Sequence, residues 1–164
     1  RAMEQLSHKN YKQVVKSVET SKEWPENLGV GKPYDNMIDN RLEDYLEAKA
    51  AAGQGDSRTT SALLAAVADY TISRSHFESG NLLSALALRE SGKVHEADHM
   101  VAAWSTDFPE NRVVQWCTAI YRGEKEKAVG MLQSRNDQTN TTPWEASFRD
   151  SNFDLIVRLF STEQ

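Results

Sequence analysis

Apolar residues recur along most of this chain at separations of three and four, the spacing that returns side chains to one face of an α-helix. Across residues 3–24 the stripe is Leu6, Tyr11, Val14, Val15 and Val18. Pro25 closes it, since proline has no amide to donate and drives the preceding residue towards extended backbone. Residues 25–33 carry two prolines and two glycines and read as a loop, although Leu28 and Val30 predict that it packs against helices. A second helix is predicted over 36–52 on Met37, Ile38, Leu42, Tyr45 and Leu46. A turn follows at 53–56, where Asp56 or Ser57 can cap the next helix. The third spans 57–74 on Leu63, Leu64, Val67 and Tyr70, with Ala62, Ala65, Ala66 and Ala68 allowing close approach. A short fourth, 80–91, is carried by Leu82, Leu83, Leu86 and Leu88 and stops at Gly92, a residue that tolerates positive φ at a helix C-terminus. Helices over 93–108, 111–122 and 124–134 come next, the last two divided by Gly123. Residues 135–142 are polar and read as a loop, after which Phe153, Leu155, Ile156, Leu159 and Phe160 predict a final helix. No segment sustains period-two alternation. The expected fold class is all-α, about eight helices in one domain over 1–164.

Two echoes organise the pattern. Trp24-Pro25-Glu26-Asn27 and Phe108-Pro109-Glu110-Asn111 share an aromatic residue followed by Pro-Glu-Asn, each after an amphipathic segment. Gly92 precedes Ala97 and Gly123 precedes Ala128 at the same offset, and the two alanines lie 31 positions apart (128 − 97). That period is near the roughly 34 residues of a helix–turn–helix repeat. Gly92, Ala97, Pro109, Gly123 and Ala128 stand where the tetratricopeptide repeat places its inter-helix turn, its small residue at the helix crossing and its closing turn. Residues 80–132 resemble that family, although Asn81, Ser84 and Ala85 stand where it carries a large aromatic residue and a Leu-Gly pair. The resemblance implies stacked antiparallel helix pairs in a short α-α superhelix, acting as a scaffold for protein–protein interaction. Residues 24–33, Trp-Pro-Glu-Asn-Leu-Gly-Val-Gly-Lys-Pro, resemble a loop in the helical-repeat region of large bacterial proteins that join such repeats to carbohydrate-associated β-rich domains. This implies a C-terminal helical module of a larger polysaccharide-related protein.

Composition trims the alternatives. The 164 residues carry a net charge of −5, which argues against a nucleic-acid surface. No apolar run reaches membrane-spanning length. Cys117 is the only cysteine, so no internal disulfide can form. The chain opens Arg-Ala-Met rather than on an initiator methionine, and a domain cut from a longer protein is expected. The expected partner is a protein or a neighbouring domain of the same chain, with glycan contact through the parent protein and no cofactor.

His95-Glu96-Ala97-Asp98-His99 fits H-E-x-x-H, in which two histidines one helical turn apart hold zinc and the glutamate activates its water. With about 100° per residue and Ala97 at zero, Val94, Met100, Val101, Trp104 and Phe108 fall within roughly 60°, while His95 and His99 lie about 160° away on either side. The histidines are therefore expected to face solvent or the edge of a groove. A zinc hydrolase built on His95, Glu96 and His99, or a helical part of a glycan-processing enzyme, is the catalytic alternative. His8 and His76 have no partner at metal-ligand spacing. Glu43, Asp44 and Glu47 read as exposed helix acids, since nothing fixes an opposing acid across a cleft. Gly29-Val30-Gly31-Lys32 lacks the length and the Ser or Thr of a phosphate loop. Cys117 is expected to be a buried structural thiol, and Asn140-Thr141-Thr142 is a glycosylation sequon. Trp104 and Trp116 are expected in the core, which leaves Trp24 and Trp144 as candidate ligand contacts.

Overall fold

The three-and-four periodicity resolves, in the computed structural model, into nine α-helices among the described residues, which are 1–23, 38–72, 76–136, 150 and 152–161. They are α1 (Ala2–Ser7), α2 (Tyr11–Lys22), α3 (Arg41–Gly53), α4 (Ser57–Ile72), α5 (Gly80–Glu90), α6 (Val94–Asp107), α7 (Arg112–Tyr121), α8 (Lys125–Asn136) and α9 (Phe153–Ser161). Among the described residues there is no strand, and the all-α expectation holds. The loop 25–33, the sequon and the Gly-Val-Gly-Lys stretch lie outside them.

Two boundaries differ from the periodicity. The first stripe is a hairpin rather than one helix, because the chain turns at Lys9 with φ of 56° and the Asn10 amide bonds back to the Gln5 carbonyl. Folding α1 onto α2 keeps Leu6, Tyr11 and Val15 against the buried Val14 and Val18, so periodicity alone does not expose the break. The second helix begins at Arg41 rather than at 36. Asp39 takes the Arg41 backbone amide at 3.1 Å and so supplies an acceptor to the free donors of a helix start.

The three hairpins that follow close in the same way. Gly55, Gly92 and Gly123 have φ of 78°, 82° and 74°, the left-handed region that glycine enters without a Cβ clash. In each turn the residue after the glycine bonds to the carbonyl five positions back: Asp56 to Ala51, Lys93 to Leu88 and Glu124 to Ala119. This six-to-one closure is the Schellman motif. Sequence spacing shows two of these turns. The third, at Gly55, is hidden because Thr60 stands where the others place alanine.

The turns set α3 against α4, α5 against α6 and α7 against α8, while α3, α5 and α7 also touch in sequence as a row. The middle helix α5 meets α3, α4, α6 and α7, and every residue from Gly80 to Leu88 is buried. A helix covered all round loses the polar face that a two-sided helix keeps. This explains why Asn81 and Ser84 lie buried beside its leucines, each satisfied by hydrogen bonds.

Ala97 is wholly buried on α6, and Val101 and Trp104 continue its inward stripe. Extra methylenes there must push α6 off its neighbours. Ala97→Leu is expected to lower stability by about 1–3 kcal/mol through overpacking, read as a drop in urea midpoint. An unchanged midpoint would remove the tight crossing from the account.

Candidate functional site

The H-E-x-x-H helix face is where helix geometry puts it. His95, Glu96 and His99 are exposed on α6 while Ala97, Val101 and Trp104 point inward. Val94 and Phe108, expected on the apolar face, are 44% and 37% exposed. Val94 opens α6 and Phe108 caps it, so neither is covered by a full turn of its neighbours. The two histidines line a shallow groove with Glu96, Met100, Leu88 and Ile72. Among the described residues, no cluster of three or more His, Cys, Asp or Glu could hold a metal.

The other sequence candidates are dispersed. Glu43, Asp44 and Glu47 are half-buried rather than exposed, because α2 packs over α3 and brings Lys22 to Asp44 at 2.7 Å and Glu47 at 2.9 Å. Burial and the nearby Asp39 raise the Glu43 carboxyl above its usual range. Trp104 and Trp116 are in the core. Trp24 and Trp144 lie outside the described residues. His8 is exposed, and His76 meets Glu78 at 3.0 Å. Cys117 is fully buried, and burial followed by the charge of Asp150 pushes its thiol well above its usual value. Thiolate is the reacting form. Disulfide reagents are therefore expected to label Cys117 in the native protein only as fast as the chain opens, and at once in denaturant. Rapid native labelling, followed by absorbance of the released thiolate, would contradict this burial.

One feature gathers polar and apolar groups as a binding site does. Between the ends of α5, α7, α8 and α9 lies a groove of about 340 Å³. Trp116, Ile120, Ala128, Leu132 and Phe160 give it an apolar lining, and Arg89, Arg122 and Lys125 stand around it. Arg89 is held: its Nη1 donates to the Tyr121 carbonyl at 2.8 Å, and its guanidinium lies 4.7 Å from the Tyr121 ring centre. Tyr121 is held in turn, donating its hydroxyl to Asp98 at 2.8 Å. Burial, and then the hydrogen bond and charge of Asp98, push the Tyr121 hydroxyl up to about 12, so it stays a donor at neutral pH. No carboxylate is among the described residues lining this groove, in a chain of net charge −5.

Sequence reading missed this groove because its cations come from three places: the last turn of α5, the α7–α8 turn and the first turn of α8. None of these shows as a basic stripe on one helix. The available signal was Arg122-Gly123-Glu124-Lys125, where two cations flank a helix-stopping glycine. No family model, curated protein or solved structure matches this chain.

Proposed function

We propose that this chain is a non-enzymatic helical-repeat scaffold of tetratricopeptide-like hairpins that holds an acidic segment of a protein or a neighbouring domain. The observation that carries this reading is the apolar groove of α7 and α8 ringed by Arg89, Arg122 and Lys125 in an otherwise acidic chain. Apolar area supplies affinity there, and the cations select the partner and speed its arrival. The three equivalent glycine turns support the repeat. The likeness of residues 24–33 to a loop of bacterial carbohydrate-associated proteins supports a place in a polysaccharide-related parent, where the partner is a neighbouring domain.

The test is a panel of amphipathic peptides of graded charge, read by fluorescence anisotropy. Acidic members are expected to bind, and Arg122→Glu with Lys125→Glu to weaken them at least tenfold with the helical circular dichroism unchanged. Binding that ignores peptide charge, or no binding across the panel, overturns the reading. Metal analysis separates the catalytic alternative. The purified protein is expected to carry far less than one zinc per chain, and stoichiometric zinc lost in His95→Ala would replace the scaffold with a hydrolase.

A further inference from the structure

We propose that His95 and His99 form a two-imidazole site for an exchangeable divalent transition-metal ion of the nickel, copper and zinc group. The ion clasps the first turns of α6. The site is separate from the α7–α8 groove and does not depend on what that groove holds.

Spacing brings the two ligands together. Both histidines lie within α6, four positions apart, and both are exposed. In an α-helix that separation is about 40° around the axis and roughly 6 Å along it, with Cβ atoms about 5–6 Å apart. Imidazoles so placed converge on one ion about 2.0–2.1 Å from each ligating nitrogen, the chelate that H-E-x-x-H helices use. The backbone under them is already set. The Lys93 amide bonds to the Leu88 carbonyl at the start of α6, and the buried Ala97 and Val101 hold these turns against the core. Only the two imidazole rotamers remain to be ordered on binding.

The surroundings favour a cation. The shallow groove that holds the pair is lined by Ile72, Leu88, His95, Glu96, His99 and Met100. Its polar side chains are two imidazoles and one carboxylate, and no Lys or Arg is among the described residues lining it. His95, Glu96 and His99 have no hydrogen-bond or ion-pair partner among the described residues, so their lone pairs are free. Two nearby candidates are already engaged: His76 meets Glu78 at 3.0 Å, and Asp98 accepts the Tyr121 hydroxyl at 2.8 Å. Glu96 stands in the first turn of α6, where it offsets the positive end of the helix dipole. Ile72, Leu88 and Met100 supply an apolar wall, beside which its attraction for the ion is screened less than in open water.

The donors also fix the class of ion. Imidazole suits nickel, copper and zinc, whereas magnesium and calcium take oxygen ligands. Among the described residues no group of three His, Cys, Asp or Glu could hold a metal, so water completes the coordination sphere and the ion exchanges. A zinc hydrolase differs in holding its ion through three protein ligands.

Isothermal titration of the native chain with Ni²⁺ is expected to show one site per chain, with Cu²⁺ binding more tightly and Mg²⁺ giving no heat. His95→Ala and His99→Ala are each expected to weaken Ni²⁺ at least tenfold, while His8→Ala and His76→Ala leave its affinity within twofold. Both α6 positions are exposed and alanine is a strong helix former, so these variants keep their fold. His99→Ala combined with Ala102→His keeps the number of histidines but parts the imidazoles by two turns, and is expected to lose the site as His95→Ala does. With Ni²⁺ at ten times its Kd, the thermal midpoint is expected to rise by about 3–5 °C, a rise absent in His95→Ala and present in His76→Ala. Equal Ni²⁺ affinity in the parent and in either His95→Ala or the double variant overturns the proposal. So does zinc retained at one per chain through purification, since that requires a third protein ligand.

Discussion

Arg41→Ala is expected to destabilise the chain by about 3–5 kcal/mol, the range for removing one partner from a buried charged network. The guanidinium is 2% exposed at the start of α3, where three helices converge. Its Nε and Nη2 donate to the two Asp39 oxygens at 2.9 and 2.8 Å, and Nη2 also donates to Glu78 at 2.7 Å. Nη1 donates to Thr71 of α4 at 2.8 Å and to Asn81 of α5 at 2.6 Å, and the Tyr70 ring centre lies 4.5 Å from the guanidinium carbon. The network continues through Thr71 to Ser84 and on to the Val67 carbonyl. Alanine removes the Arg41 cation from Asp39 and Glu78 and an Arg41 donor from Asn81 and Thr71. Each is a buried or half-buried group that water no longer reaches freely. Gly80 belongs to the same fitting, since a Cβ there would stand 2.6 Å from the Arg41 guanidinium carbon. Lysine cannot rescue the site, because one ammonium does not present a planar fork to acceptors on α4, on α5 and in the segments before α3 and α5. Arg41→Met combined with Asp39→Asn is expected to recover part of the loss by removing one of the two carboxylates that the guanidinium neutralises. Urea unfolding with an unchanged slope measures both. A loss below about 1 kcal/mol for Arg41→Ala would mean that the convergence is held by apolar packing alone.

Nothing in the sequence pointed to Arg41, and the reason is physical. Periodicity reports which face of a helix is apolar, and Arg41 lies at a helix end where no stripe is defined. Apart from Asp39 two residues before it, its partners sit 30 to 40 residues away: Thr71 on α4, Glu78 before α5 and Asn81 on α5. What the pattern did show was local: helices over 57–74, 80–91, 93–108 and 111–122 match α4 to α7 within a few residues, and Asp56 caps α4 by accepting the Thr59 amide at 3.0 Å. The outward aim of His95 and His99 was legible for the same reason, since it needs only the angle per residue. The α7–α8 groove was not, because three chain segments build it and its far wall comes from α9. The apolar stripe of α9 was visible, but what it packs against depends on tertiary placement. Periodicity is silent about that.

Trp116→Ala is expected to cost about 3–5 kcal/mol, the range for deleting a large buried aromatic side chain. Trp116 is 1% exposed and sits where α7 meets α9, edge-on to Phe153 and Phe160. Its loss opens a cavity in α7 and removes the wall against which α9 docks. Hydrogen exchange in α9 is therefore expected to rise more than in α4. Trp116→Phe carries the sharper test. The indole Nε1 is buried and has no hydrogen-bond partner among the described residues. An unsatisfied buried donor costs about 1–3 kcal/mol, of the same order as the apolar area that phenylalanine gives up. The two terms oppose each other, so Trp116→Phe is expected to stay within about 1 kcal/mol of the parent while keeping an aromatic edge for Phe153. If Trp116→Phe falls as far as Trp116→Ala, the indole nitrogen has a partner in solution and the ring is held by polar contact. If the two diverge as expected, shape and area at this position hold α9 against α7 through Phe153 and Phe160.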